Sequence, residues 1–249
     1  MIADTSIDKK RAIELLKGKS KILFLTHSNR YVKHDDEPKS TALAYDMALK
    51  IGNDKVKVIE VPKLKIYPCE GNVSTKDGNN CGVQGAALKD KRKNPTGDLR
   101  CWASFNNPDD ELYKVANEIF NSDAVVFFAS IRWGQANMFY QKLIERLCWL
   151  ENRWASLGEN NLLQGKAAGF ICIGQNWNGS NVVSVQKKVL EFYGFDTPDE
   201  LFGNWQYTDN ALDESLESYK AAIPAFEKFF NLSMAKFIEK YRRIVSLFK

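Results

Sequence analysis

Three short stretches of this chain gather the hydroxyls, amides, cations and glycines from which a ligand site can be built. The first is Thr26, His27, Ser28, Asn29 and Arg30, continued after a polar loop by Lys39, Ser40 and Thr41. The second is Ser130, Ile131, Arg132, Trp133, Gly134 and Gln135, and the third is Gln175, Asn176, Trp177, Asn178, Gly179 and Ser180. Hydroxyls and backbone amides at the start of a helix suit a phosphate, and Arg30 and Lys39 add positive charge. An Arg-Trp-Gly turn and a Trp-Asn-Gly loop offer aromatic edges and backbone groups to a flat, partly polar ring. Together they predict a phosphorylated heteroaromatic cofactor. Each also has a plainer reading: Ser28, Ser40 and Thr41 as helix caps, Arg132 as a surface cation, Trp133 and Trp177 as packing aromatics.

Strands that end beside one another would bring the three stretches together. Residues 21–26 and 55–61 read as the first two strands, the second stopped by Pro62. The run from Ala124 to Ala129, rich in Val and Phe, suits a strand buried on both faces of a parallel sheet. Residues 166–174 give a fourth strand and 200–207 the weakest, a fifth. Between them, helical patterns cover 8–17, 40–50, 107–120, 138–151 and 181–193, the last closed by Gly194. In 138–151, Met138, Leu143, Ile144, Leu147 and Leu150 fall on an apolar side, with Lys142, Glu145, Arg146 and Glu151 largely opposite. A helix over 209–230, kinked at Pro224, and another capped by Ser233 end the chain. The alternation predicts an α/β fold, a doubly wound parallel five-stranded sheet, whose ligands bind at the carboxyl ends of the strands. One domain spans 1–249, with an insertion at 62–108 and C-terminal helices in 209–249.

Composition removes several classes of function. The chain is 44% apolar and 27% charged, ordinary for a globular protein. No apolar run reaches the roughly 20 residues that span a bilayer, and the amino terminus lacks a signal-peptide core. The net charge of +4 equals that of residues 234–249 alone, so the remainder offers no nucleic-acid footprint. Five widely spaced cysteines and two histidines fit reduced thiols in a cytoplasmic protein, without a disulfide framework or a Ser-His-Asp relay. The apolar stripe of the last helix, including Met234, Phe237, Ile238, Tyr241, Val245 and Phe248, predicts a partner made of protein rather than lipid.

The order of elements, with DAVVFFASIRWGQANMFYQKLIERL at 123–147, resembles the flavodoxin-like NAD(P)H-dependent FMN reductase family. The turn Ser130-Ile131-Arg132-Trp133-Gly134 stands where that family has a Pro-x-Tyr-type turn, and the following helix carries its Lys (Lys142) and late Arg (Arg146). The first loop, Ser28 to Arg30 with Lys39-Ser40-Thr41, is similar to the family's phosphate signature. The resemblance implies FMN, with Ser28, Arg30, Ser40 and Thr41 on the phosphate. The ring would be flanked by Ser130, Ile131, Arg132, Trp133, Gly134 and Gln135, and by Gln175, Asn176, Trp177 and Gly179. It implies hydride transfer from NAD(P)H through FMN to a small acceptor such as a quinone or flavin, with Arg132 tuning the reduced ring and no side-chain nucleophile needed. A homodimer is also implied. Related iron–sulfur flavoproteins carry a compact cysteine cluster in the insertion; the wide spacing of Cys69, Cys81 and Cys101 predicts no metal here. A flavodoxin-type electron carrier and a flavin-free domain of the same fold stand as alternatives.

Overall fold

The computed structural model describes residues 8–29, 38–174, 178–206, 215–230 and 233–248. Its strands are β1 (Ile22–Thr26), β2 (Val56–Glu60), β3 (Ala124–Arg132), β4 (Gln135–Ala136), β5 (Ala167–Gly174) and β6 (Phe202–Gln206). Five pair in parallel in the order β2-β1-β3-β5-β6, the order of a flavodoxin-like doubly wound sheet. The expected five-stranded sheet gains the two-residue β4, antiparallel to the end of β3. The central strands β1, β3 and β5 are buried almost throughout, which is why they read as unbroken apolar runs. The edge strands β2 and β6 are half-covered and mix polar with apolar residues.

Two helical layers flank the sheet. On one side, α1 (Lys9–Lys17) and α2 (Lys39–Ile51) pack with α9 (Ile223–Phe230) and α10 (Met234–Ser246) around Phe24, Val126, Phe128 and Ile171. On the other, α4 (Leu112–Asn121), α5 (Met138–Arg146), α6 (Cys148–Ala155) and α7 (Gly179–Tyr193) cover Leu25, Phe127 and Phe170. Three helix boundaries differ from the sequence reading. The pattern at 107–120 starts later, at Leu112, because the Asp110 carboxylate accepts from the Leu112 amide at 3.2 Å while serving partners outside the helix. The helix over 138–151 breaks at Leu147 into α5 and α6. The one over 209–230 is α8 (Leu216–Ala221) and then α9, split ahead of Pro224, whose ring cannot continue a helix from the preceding turn; residues 207–214 lie outside the described set. Gly194 and Ser233 cap α7 and α10 as expected.

The insertion folds onto the α4–α6 side. It contributes α3 (Trp102–Asn106) and a string of turns, and Arg146 fastens it. The sequence pattern placed Arg146 on a polar face, yet it is 1% exposed. All five of its N–H groups find acceptors: Nε on Cys101 Sγ at 3.4 Å, Nη1 on Tyr67 O at 2.6 Å and Asp110 Oδ1 at 2.9 Å, Nη2 on Ser104 Oγ at 2.8 Å and Asp110 Oδ2 at 2.9 Å. Nearby, Gly82 comes so close to α6 that a Cβ would lie 2.8 Å from the Trp149 carbonyl oxygen. Cys81 and Cys101 are buried and Cys69 is half-buried, all three free. Burial first, then neighbouring thiols, pushes the Cys81 thiol up to about 12.

The final helix lies on the chain's own body. Phe237 and Ile244 are buried, and Phe248 meets Tyr45 edge-on with ring centroids 5.5 Å apart. Its anchor is Asp46 of α2, a carboxylate 5% exposed that faces Lys50 at 2.7 Å, Lys9 at 3.5 Å and Lys240 at 3.7 Å. Of the apolar stripe, Phe237, Ile244 and Phe248 thus pack on the chain itself. Among the described residues no helix is long and apolar enough to cross a membrane.

Arg146→Met keeps the bulk of the side chain but strands a buried carboxylate, and is expected to cost about 3–5 kcal/mol in urea unfolding. Burial is the largest influence on Asp110 and works against its charge, but the bonds from Arg146, the Tyr67 amide and Ser104 outweigh it and hold the carboxyl below the usual 3.8. Its contribution is therefore complete above that pH and fades as pH falls through the lower folded value. Asp110→Asn should be less stable at neutral pH and lose this segment of the acid dependence; an unchanged acid profile would contradict the assignment.

Candidate ligand site

The carboxyl ends of β1, β3 and β5 meet the starts of α2, α5 and α7. Beyond β1 the chain stays against β3, the His27 amide donating to Phe128 O at 2.9 Å. Ser28 then reaches α2, where Ser40 Oγ donates to Ser28 Oγ at 2.6 Å. Contrary to the plain capping reading, Ser40 does not cap that helix. Pro38 holds the cap position and gives no side-chain bond to the first turn. The first N–H groups of a helix have no intrahelical acceptor, so this start is a donor surface carrying the positive end of the helix dipole. Thr41 in that turn is 1% exposed, and its Oγ1 has no hydrogen-bond partner; Thr26 Oγ1 is likewise orphaned.

Asn137 is a cluster residue that the sequence motifs do not mark. It caps α5 by accepting from the Tyr140 amide at 3.2 Å, and its Nδ2 donates to Ser130 Oγ at 3.0 Å and lies 3.5 Å from Ser28 Oγ. One polar cluster thus joins β1, α2, β3 and α5. The usable signal was an Asn just ahead of an apolar-periodic run, the ordinary mark of a helix start.

The Arg-Trp-Gly segment is a hairpin rather than a loose turn. Strand β3 continues past Ala129, with Ser130 opposite Ile173 on β5, Ile131 opposite Ala136 and Arg132 opposite Gln135. That register leaves Trp133 and Gly134 as the two-residue connection, with φ 50° and 69°. Positive φ at both central positions is the type I′ arrangement, whose twist suits a tight hairpin. Arg132 and Gln135 are exposed, and Trp133 is 84% exposed, against its plainer reading as a packing aromatic. Asn178, itself at φ 74°, donates from Nδ2 to Gly134 O at 2.8 Å and so ties the hairpin to the start of α7.

Gly179 opens α7, where a Cβ would lie 2.5 Å from Oδ1 of Asn204 on β6. Its small size serves that close approach. Arg30, Gln175, Asn176 and Trp177 lie outside the described residues. Of the assigned residues, Ser28, Ser40 and Ser130 meet in one cluster; Ile131 to Gln135 form the hairpin beside it. Among the described residues no group of three or more His, Cys, Asp or Glu is placed to hold a metal.

His27 lies in the layer beneath, fully buried, stacked on Phe127 with centroids 5.9 Å apart and edge-on to Tyr140 at 5.3 Å. Its Nδ1 is 3.1 Å from Phe128 O; since a carbonyl only accepts, that nitrogen carries the proton. Nε2 has no partner. Burial outweighs the backbone bonds and depresses the imidazole to about 3, so the ring is neutral at physiological pH. In the unfolded chain it would titrate near the ordinary His value of 6.5, so below that pH the unfolded state binds more protons and stability declines. The loss should reach about 2 kcal/mol by roughly pH 5. In His27→Phe this slope should vanish in urea titrations between about pH 7 and 5; an identical slope would show that His27 is not the group responsible.

No protein-family model and no curated protein matches this sequence. The fold does match solved structures. A crystal structure of RosB with bound 8-demethyl-8-formylriboflavin-5'-phosphate aligns over 92% of this chain and 81% of that one, at TM-score 0.56 and 14% identity. FerB, a flavoenzyme NAD(P)H:(acceptor) oxidoreductase from Paracoccus denitrificans, aligns over 91% and 97% at TM-score 0.43 and 12% identity. An azoreductase from Bacillus anthracis str. Sterne aligns over 92% and 99% at TM-score 0.45 and 13% identity. With its strand order and its likeness to RosB, the chain has the flavodoxin-like α/β fold.

Proposed function

We propose that this protein is a flavin-dependent oxidoreductase that binds FMN at the carboxyl edge of the sheet, its phosphate at the start of α2. The carrying observation is a helix start without a side-chain cap, joined to a buried Thr41 hydroxyl that has nothing to bond. A buried hydroxyl without a partner costs free energy that a bound acceptor restores, and a phosphate also suits the helix dipole. Ser28 and Ser40, now bonded to each other, supply two further hydroxyls. With Arg30 they make up the phosphate set that the sequence resemblance implies. Backbone groups of 130–135 and Gly179, together with Gln175, Asn176 and Trp177, would border the ring. RosB, of the same fold, holds a riboflavin phosphate derivative, which agrees with this ligand class.

Bound FMN would supply the redox chemistry, taking hydride from NAD(P)H and passing electrons to a small acceptor such as a quinone or flavin. The chain's part is to hold the phosphate, border the ring and set charge near it. Arg132, exposed at the end of β3, favours added negative charge at its edge. No nucleophile or general base is required, and the buried, neutral His27 is not available as one.

The purified protein should take up about one FMN per chain. Ser40→Ala with Thr41→Val, which removes both hydroxyls at nearly constant volume, should weaken FMN binding about tenfold or more while leaving the far-ultraviolet circular dichroism unchanged. Unaltered affinity in that variant would refute the phosphate assignment. A wild-type protein that takes up no FMN would refute the flavin reading itself.

A further inference from the structure

The hairpin tip holds a side chain that the fold does not use and to which the flavin reading gives no part beyond flanking the ring. Trp133 is the most exposed large apolar residue among those described, at 84%. It also has a backbone that a bulky side chain disfavours. Trp133 and Asn178 are the non-glycine residues with positive φ in the described chain, at 50° and 74°. For Asn this conformation is mild; for Trp it is costly, and Asn or Gly at the first turn position would form the same type I′ connection with less strain. The fold therefore gains nothing from a tryptophan there, since its indole buries little and its backbone is strained. Such outliers concentrate at functional sites.

The placement is also fixed. Below the tip, Ile131 pairs with Ala136 and Arg132 with Gln135; at the tip, Asn178 holds the Gly134 carbonyl at 2.8 Å. The pinned hairpin thus holds an exposed indole three residues beyond Ser130 of the Ser28–Ser40–Ser130–Asn137 cluster, at the edge where, on the flavin reading, a second reactant would arrive. An indole offers a flat ring a stacking surface at low entropic cost, because it has only two side-chain torsions to order.

We propose that Trp133 is the stacking face for the flat conjugated ring of the second reactant, either the nicotinamide of NAD(P)H or a quinone acceptor, and that Asn178 is the positioning residue that holds it there. This rests on the flavin reading, and its test separates the two. Trp133→Asn should fold at least as stably as the wild type, since Asn tolerates the left-handed backbone. On FMN-loaded protein it should raise the KM for NADH or for menadione about fivefold to tenfold, with kcat changed less than about twofold. Kd values for NAD+ and menadione, measured by calorimetry on loaded and flavin-free protein, should weaken to match. A change confined to the NADH and NAD+ arm identifies nicotinamide as the stacked ring; one confined to menadione identifies the acceptor. Trp133→Phe should restore most of the loss, and Asn178→Gly, which keeps the backbone but deletes the amide, should produce about a threefold loss. Unchanged KM and Kd in both arms of Trp133→Asn would overturn the proposal, even with FMN fully bound. Failure of the wild type to take up FMN would instead count against the flavin reading, while the flavin-free Kd values would still report on Trp133.

Discussion

A guanidinium buried to 1% exposure is tolerable only if all of its donors are met, and Arg146 imposes that requirement on the whole α4–α6 side. Its five acceptors come from the insertion and from the residue just ahead of α4: Tyr67, Cys101, Ser104 and both oxygens of Asp110. None of these residues is near Arg146 in sequence. Long stretches of turn-rich chain must therefore return to the end of α5 before the charge is satisfied. The insertion has little regular structure because its order comes from this point and from the contacts of Asn152 and Arg153.

The same helix carries that order to the ligand edge. Its far end is capped by Asn137, whose amide also holds Ser130 and approaches Ser28. Nine helical residues, about 13 Å of rigid backbone, separate the buried ion pair from the polar cluster. At one end of that rod every N–H of Arg146 is met; at the other, two buried hydroxyls are not. The orphaned Thr26 and Thr41 hydroxyls, the side-chain-uncapped start of α2 and the strained Trp133 collect where the strands end. The proposed ligand edge is where these orphaned hydroxyls coincide with a strained hairpin and a helix start whose cap residue gives no side-chain bond.

Much of this was legible in the sequence. The buried strands read directly because burial on both faces removes alternation, and Gly194 and Ser233 marked helix ends through cap chemistry. Ser28, Ser40 and Ser130 were identified by residue type and position, and they do converge. Periodicity misplaced Arg146, because it counts a guanidinium as polar whether or not distant residues neutralise it. It also could not see that Ser130 to Arg132 belong to a strand, since β4 supplies only two residues of pairing. The helix expected over 107–120 began late because Asp110 was committed to a partner 36 residues away. In each case the missing information was a long-range contact that no local window contains.

The central claim is that the start of α2 is a phosphate site. A crystal structure of the protein soaked or co-crystallised with FMN tests it most directly. The account predicts phosphate density within about 3 Å of the Ser40 and Thr41 amides and the Thr41 hydroxyl, with the Ser28–Ser40 bond opened toward the ligand. Flavin bound with its phosphate elsewhere, or an unaltered Ser28–Ser40 pair at saturating FMN, would contradict it.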